Sequence, residues 1–123
     1  PYPVTTLNTP GGTPASSNTI ASLHTLNGVS SAGLITIVLP ATKAGVRYTF
    51  VNSGDDDAVL ITVSPNASDK FMGTIAAVSI SASDDGDLTN TKSGANKGDW
   101  ATIVGDGSDG WYIIGGDGVW AGA

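Results

Sequence analysis

The sequence predicts an all-β protein, a jelly-roll-like sandwich or barrel of about eight or nine short strands. All 11 acidic residues are Asp, and the chain contains neither Glu nor Gln, two residues that favour helices. Val, Ile and Thr, which favour strands, fill most of the segments between turns. Turn residues recur about every ten positions, the spacing expected of a sandwich or barrel. No stretch is long enough to form the helix of a βαβ unit.

The first segment, residues 1–19, is predicted to be an extended N-terminal arm, and residues 20–123 a single β-domain. Prolines cannot donate hydrogen bonds to a β-ladder, and four of them fall in the arm: Pro1, Pro3, Pro10 and Pro14. Three spaced apolar residues could anchor it: Tyr2, Val4 and Leu7. Either the arm is a disordered tail, or it lies on a neighbouring subunit and is ordered by that contact.

Strand candidates follow in the first half of the domain. Ile20 to Leu26 ends at an Asn-Gly turn, and Gly33 to Leu39 is stopped by Pro40. The near-continuous apolar run of the second candidate predicts either a strand covered on both faces or a strand in a tight sandwich or barrel. Between Gly45 and Asn52 the alternation is clearest, because Val46, Tyr48 and Phe50 fall on one face. Ala58 to Ser64 is the next strand, with Ile61 and Val63 on one face.

The second half contains a hairpin after a less regular middle. Lys70 to Gly73 is a short strand or a loop, Ile75 to Ile80 favours strand over a helical turn, and Leu88 opens another short strand. The apolar runs Trp100–Val104 and Trp111–Ile114 then flank the turn residues 105–110. Val119 and Trp120 are predicted to form a last strand.

The three tryptophans lie in or just after this hairpin. Their spacing beside isoleucines predicts core residues that close the fold, in preference to a sugar-stacking platform. The core assignment covers Trp100, Trp111 and Trp120. The loop 105–110 is then expected to be a flexible acidic tip.

Charge and composition exclude several functions. A net charge of −6 with five scattered basic residues disfavours nucleic-acid binding. The absence of cysteine excludes disulfides and thiolate metal sites. No apolar run approaches the ~20 residues that span a bilayer, so we expect no membrane partner. The first residues lack the features of a signal peptide, which leads us to expect synthesis in a cytoplasm.

Catalytic residues are scarce, and we expect neither an enzyme nor a cofactor. The single histidine, His24, falls in a strand-like segment, and no serine lies in a Gly-x-Ser-x-Gly elbow. Asp106 and Asp109 are weak Ca²⁺ candidates because carboxylates in loops can ligate that ion. Asp also occupies turns for backbone reasons alone, so we expect no metal site.

Three stretches give the chain a family resemblance: Gly45-Val-Arg-Tyr-Thr-Phe-Val-Asn52, Ile61-Thr-Val-Ser-Pro-Asn66, and a series that runs from Asn90-Thr-Lys through Asn96-Lys-Gly-Asp-Trp and Val104-Gly-Asp-Gly to Gly110-Trp-Tyr-Ile-Ile114. Together they resemble small β-rich structural proteins of tailed bacteriophages, common among marine and cyanobacterial phages. The resemblance implies a capsid decoration (cement) protein or a virion fibre or knob module. It also implies a location on the virion exterior, the major capsid protein as partner, and assembly as a homotrimer.

Overall fold

The computed structural model describes residues 4–7, 22–26, 34–52, 60–75, 78–80, 86–91, 94 and 96–122. These residues form strands and turns and include no α-helix. The strands are β1 (Val4–Leu7), β2 (Ser22–Leu26), β3 (Leu34–Val38), β4 (Arg47–Asn52), β5 (Leu60–Ser64), β6 (Lys70–Ile75), β7 (Val78–Ile80), β8 (Leu88–Asn90), β9 (Trp100–Gly105), β10 (Gly110–Asp117) and β11 (Trp120–Gly122).

The strands are arranged in two mixed sheets. One has seven strands in the order β1-β2-β4-β9-β10-β6-β7, and the other has four in the order β11-β8-β5-β3. From β2 to β5 the chain alternates between the sheets: β2 and β4 belong to the larger sheet, and β3 and β5 to the smaller. Because each crossover returns the chain to the same sheet in the same direction, β2 pairs with β4 in parallel, and β3 pairs with β5 in parallel.

The core consists of one hydrophobic cluster with residues from both sheets. The alternation predicted for β4 is confirmed, because Val46, Tyr48 and Phe50 are all buried. The seven-stranded sheet also contributes Phe71, Ile75, Ile80, Ala101, Ile103, Trp111 and Ile113. The four-stranded sheet contributes Ile37, Ile61, Val63, Leu88 and Trp120. Burying these side chains between two sheets is the main source of stability in such a fold.

The predicted all-β class is therefore confirmed, with differences in detail. The described residues hold eleven strands, more than the eight or nine predicted. One strand that was not among the predicted candidates, β1, lies inside the predicted arm and pairs in parallel with β2 at the edge of the larger sheet. Two of the predicted arm anchors, Val4 and Leu7, are the first and last residues of this strand. The third, Tyr2, lies outside the described residues. Within the described ranges, no helix has the length and apolarity needed to cross a membrane.

Of the two alternatives predicted for the Gly33–Leu39 strand, coverage on both faces does not hold at its C-terminal end. Ile37 and Leu39 are buried, but Val38 between them is 41% exposed. β3 is an edge strand of the smaller sheet, and at its C-terminal end Ile37 points into the core while Val38 faces solvent.

Candidate functional site

The β9–β10 hairpin has an inner face in the core and an outer face toward solvent. On the inner face, Trp111 is fully buried and its ring centroid lies 5.5 Å from that of Tyr48. Burial raises the pKa of the Tyr48 phenol, because the charged form is disfavoured away from water. Trp120 is 4% exposed, and its Nε1 donates to the Asp117 carbonyl oxygen at 3.0 Å. Both of these tryptophans therefore have core positions.

Trp100 lies on the outer face, in contrast to the core position expected from the sequence. Its side chain is 37% exposed, and its neighbour Ala101 is the residue of that pair which points inward. The Trp100 ring packs over Gly115, where an added Cβ would lie 3.0 Å from a ring carbon. The sheet register fixes this orientation, since Ala101 pairs with the buried Phe50 while Trp100 pairs with Val51.

Six apolar residues lie on this outer face, here called the outer patch: Val51, Met72, Trp100, Val104, Tyr112 and Ile114. The hydrogen-bonded pair Thr49–Thr102 lies between Trp100 and Val104, so the patch has two parts. Tyr112 is 48% exposed and Ile114 49%. In the register, Tyr112 lies beside Val104 on one side and Met72 on the other. The register shifts between Ile113 and Gly115, and Ile114 lies in this irregularity. The patch thus crosses four adjacent strands, β4, β9, β10 and β6.

Two cations flank the outer patch. Arg47 is exposed at the start of β4, in register with Val104, and Lys70 is partly exposed at the start of β6. Across these four strands the sole acid is Asp117, at the end of β10 that lies beside Trp100. The hairpin tip at the same end carries Asp106 and Asp109, and Asp69 precedes Lys70, so this end of the face has charges of both signs.

The loop between β9 and β10 is held by hydrogen bonds, whereas the sequence suggested a flexible tip. The Asp106 Oδ1 accepts hydrogen bonds from the backbone N–H groups of Ser108, Asp109 and Gly110 at 2.8, 2.8 and 2.9 Å. These bonds, the Gly110 bond first and then the Ser108 bond, hold the pKa of the Asp106 carboxyl below its usual value.

A neighbouring loop also fastens this tip. The Thr42 hydroxyl donates to the Gly110 carbonyl oxygen at 2.5 Å and accepts from the Gly107 N–H at 3.2 Å. Gly110 has a φ of 149° and packs against the backbone of Lys70, so a side chain there would clash with that backbone. These contacts fix the tip to Thr42 and to the start of β6.

The Ca²⁺ candidates have the geometry of a turn. Asp106 Oδ1 already accepts three backbone hydrogen bonds, and Asp109 is exposed. Among the residues that the structure describes, no three His, Cys, Asp or Glu side chains group together as a possible metal site. His24 lies on β2, in register with Thr5 of β1 and Phe50 of β4.

A buried polar cluster joins the two sheets, and the sequence did not predict it. The Asn52 amide Nδ2 donates to Asn90 Oδ1 at 2.9 Å. Asn90 Nδ2 donates to Asp99 Oδ2 at 3.1 Å and to the Val119 carbonyl oxygen at 3.0 Å. The same Asp99 oxygen accepts from the Asn96 N–H at 2.9 Å. We call Asn52, Asn90 and Asp99 the polar clasp, because they connect β4 to β8 and to the turn before β9.

The surroundings of the clasp leave little room for change. Asn52 and Asn90 are fully buried and Asp99 is 8% exposed. The Asn52 N–H also donates to the Asp99 carbonyl oxygen at 2.8 Å, and Gly98 N–H donates to the Asn52 carbonyl oxygen at 2.7 Å. Gly118, at a φ of 105°, packs against the Asp99 carboxylate where a side chain would clash. Buried polar groups satisfied in this way fix one arrangement of the sheets.

Two of the three sequence stretches described above meet in the clasp. Asn52 ends the first motif stretch, while Asn90 and Asp99 belong to the third, and the fold brings all three together. Comparison with protein-family models finds no matching family. No curated protein gives a significant match either.

Proposed function

We propose that this chain is a structural protein of a bacteriophage virion, a decoration (cement) protein that binds the outer surface of the capsid. It would stabilise the head by bridging neighbouring subunits of the major capsid protein. The observation that carries the proposal is the ordered set of motifs described above, from Gly45–Asn52 to Gly110–Ile114. The positions of Asn52, Asn90 and Asp99 in the clasp support a structural role for these motifs.

The architecture is compatible with this role. A decoration protein needs a rigid body with short turns. The hydrogen bonds around Asp106 and Thr42 hold the turn between β9 and β10 in one conformation. Within the proposal, the two sheets form a jelly-roll-like sandwich. The shared core supports the sandwich, while the parallel pairs, such as β2–β4, are pairings that two antiparallel Greek keys do not contain. Homotrimers would cover sheet edges that a single copy leaves open.

The arm has a specific part in the proposed mechanism. β1 is a terminal strand at a sheet edge, and 14 residues, 8–21, connect it to β2. A chain of that length spans up to about 46 Å, and β1 itself is only about 13 Å long. The linker can therefore carry β1 to a neighbouring subunit, and several such contacts together would give the avidity that resists internal pressure.

Deletion of residues 1–14 tests the mechanism. The full chain should saturate expanded capsids of the phage that encodes it, and the truncated chain should fail to bind while keeping its folded β-domain. Binding is measured by co-sedimentation and folding by circular dichroism. If the truncated chain saturates capsids as the full chain does, the arm is not the bridge. Gold labelling of the protein on virions tests the location, with label expected on heads.

A second candidate is a tail-fibre or receptor-binding module that recognises a host surface glycan. The exposure of Trp100 and Tyr112 favours it, since exposed aromatic rings offer an apolar face beside a polar edge. On this alternative the label is found on tails, and a host glycan protects Trp100 from acrylamide quenching. Label on heads and no protection by glycan would remove the alternative.

A further inference from the structure

We propose that the bond between Asp117 and Gly118 is a site of spontaneous covalent modification, at which Asp117 isomerises to isoaspartate and thereby weakens the polar clasp. The inference goes beyond the proposed function and does not depend on it. Asp-Gly pairs are the sequence most open to this reaction, because glycine leaves the backbone nitrogen unhindered. Four such pairs occur in the sequence, beginning at residues 85, 106, 109 and 117, and the last three lie in the part of the chain that the structure describes.

The reaction needs no reagent other than solvent water. The Gly118 backbone nitrogen attacks the side-chain carbon Cγ of Asp117, and the new C–N bond closes a cyclic imide. The proton of the nitrogen and an oxygen of the neutral carboxyl group leave together as water. A water molecule then opens the ring. Opening at the former backbone carbonyl leaves Gly118 attached through Cγ, which is isoaspartate, and opening at the other carbonyl restores aspartate.

At Asp117 the reacting atoms are close together and accessible. The Gly118 N–H donates to the Oδ1 of Asp117 at 2.9 Å, which places the nitrogen beside the carboxyl group that it attacks. The Asp117 side chain is exposed, and this local bond is its only hydrogen bond within the described structure. The carboxyl group can therefore turn toward the nitrogen without breaking a contact to another part of the chain.

The pair at Asp106 is held in an unreactive arrangement. Asp106 Oδ1 accepts hydrogen bonds from the backbone N–H groups of residues 108–110. The Gly107 nitrogen, which would have to attack, donates instead to the Thr42 hydroxyl at 3.2 Å. The bonds to Oδ1, the Gly110 bond foremost, also keep the pKa of Asp106 below its usual value. Imide formation from the charged carboxylate is slower than from the neutral acid, so these bonds protect the pair.

The pair at Asp109 is held by its backbone. The Gly110 nitrogen donates to Asp106 Oδ1 at 2.9 Å, and the Asp109 carbonyl oxygen accepts from the Lys70 N–H at 3.1 Å. Gly110 is also buried and packs against the Lys70 backbone. Imide closure at Asp109 therefore requires these contacts to open first. Among the three described pairs, the structure leaves Asp117 the most reactive.

Isomerisation at Asp117 acts on the polar clasp through the residues that follow. Gly118 packs against the Asp99 carboxylate, and the Val119 carbonyl oxygen accepts a hydrogen bond from the clasp at 3.0 Å. Trp120 Nε1 donates to the Asp117 carbonyl oxygen at 3.0 Å. Isoaspartate adds a methylene group to the backbone between β10 and β11 and converts that carbonyl into a carboxylate. Both changes displace the contacts of the clasp, so the modified chain should be less stable.

The experiment incubates the full chain at neutral pH in heavy-oxygen water, because ring opening places a solvent oxygen in the product. Trypsin, used in ordinary water, then releases residues 98–123 as a single peptide, since Lys97 is the last lysine or arginine. Fragmentation in a mass spectrometer assigns the label to each of the three Asp-Gly pairs in that peptide. The same incubation in guanidinium chloride is the matched control, because the unfolded chain has lost the contacts that distinguish the pairs.

We expect the label to accumulate at Asp117 about tenfold faster or more than at Asp106 or Asp109, since each of those pairs must first lose hydrogen bonds. In guanidinium chloride the three rates should become similar. The isoaspartate form and the unmodified chain are then separated by chromatography and unfolded in urea. The isoaspartate form should have the lower urea midpoint.

Two results overturn the proposal, and each rejects a different part of it. Labelling at Asp117 that is no faster than at Asp106 and Asp109 in the folded chain rejects the assignment of the site. Fast labelling at Asp117 with equal urea midpoints for the two forms rejects the effect on the clasp. Neither result bears on capsid binding, which the deletion of residues 1–14 tests separately.

Discussion

Replacing Asp99 with alanine should reduce the free energy of unfolding by about 3–5 kcal/mol. The Asp99 carboxylate is 8% exposed, and its Oδ2 accepts hydrogen bonds from Asn90 Nδ2 and from the Asn96 N–H. Hydrogen bonds to a charged group contribute about 1.5–3 kcal/mol each. Two of them give about 3–6 kcal/mol, and Asn90 Nδ2 keeps its bond to the Val119 carbonyl oxygen, which lowers the upper end.

Urea unfolding, followed by tryptophan fluorescence, measures this change. Asp117→Ala is the matched control, because Asp117 is exposed and its Oδ1 accepts only a local bond from the Gly118 N–H in the described structure. We expect the control to stay within about 1 kcal/mol of wild type. Asp99→Asn keeps an acceptor oxygen, so its free energy of unfolding should lie between those of Asp99→Ala and Asp117→Ala. A loss below about 0.5 kcal/mol for Asp99→Ala would show that the clasp does not hold the sheets together.

Three further predictions concern the core, the hairpin tip and the arm. Trp111→Ala should reduce the free energy of unfolding, measured in urea, by about 3–5 kcal/mol, because Trp111 is fully buried. Trp100→Ala should reduce it by about 1 kcal/mol or less, because Trp100 is 37% exposed. Equal losses would contradict the assignment of the two tryptophans to opposite faces. The depressed pKa of Asp106 contributes stability above the ordinary pKa of Asp, and this is lost as pH falls through the lower folded value. In the Asp106→Asn variant, the melting temperature should therefore fall less steeply as the pH is lowered. An unchanged pH dependence would contradict the contribution of Asp106. Because the chain lacks cysteine and Thr5 pairs with His24, Thr5→Cys with His24→Cys should form a disulfide on oxidation. Covalent monomers are expected, because β1 pairs with β2 of the same chain, and covalent oligomers on a denaturing gel would instead indicate exchange of β1 between copies.

The sequence was sufficient for those features that depend on local pattern. Alternation placed Val46, Tyr48 and Phe50 on the buried face of β4, and the turn residues 105–110 located the hairpin. Both follow from the two-residue period of a strand and from turn chemistry. The parallel pairing of β2 with β4 could not be predicted in this way, because it depends on β3 crossing to the other sheet.

Trp100 shows where pattern reasoning fails on a single strand. Its bulk suggested the core, yet alternate positions of β9 both carry apolar residues, with Trp100 and Val104 on one face and Ala101 and Ile103 on the other. The choice of face comes from the neighbouring strand, where Phe50 is buried beside Ala101. The polar clasp could not be predicted from the sequence either, because residues 52, 90 and 99 share no spacing that identifies them as partners.

The motif pairs Asp99-Trp100 and Trp111-Tyr112 combine two roles in adjacent residues. In each pair the first residue is buried and the second is exposed on the outer face. Since neighbouring strand residues point to opposite sides of the sheet, one motif can both hold the core together and present a surface. A substitution at Asp99 or Trp111 should therefore reduce the free energy of unfolding more than one at Tyr112, whose side chain is 48% exposed.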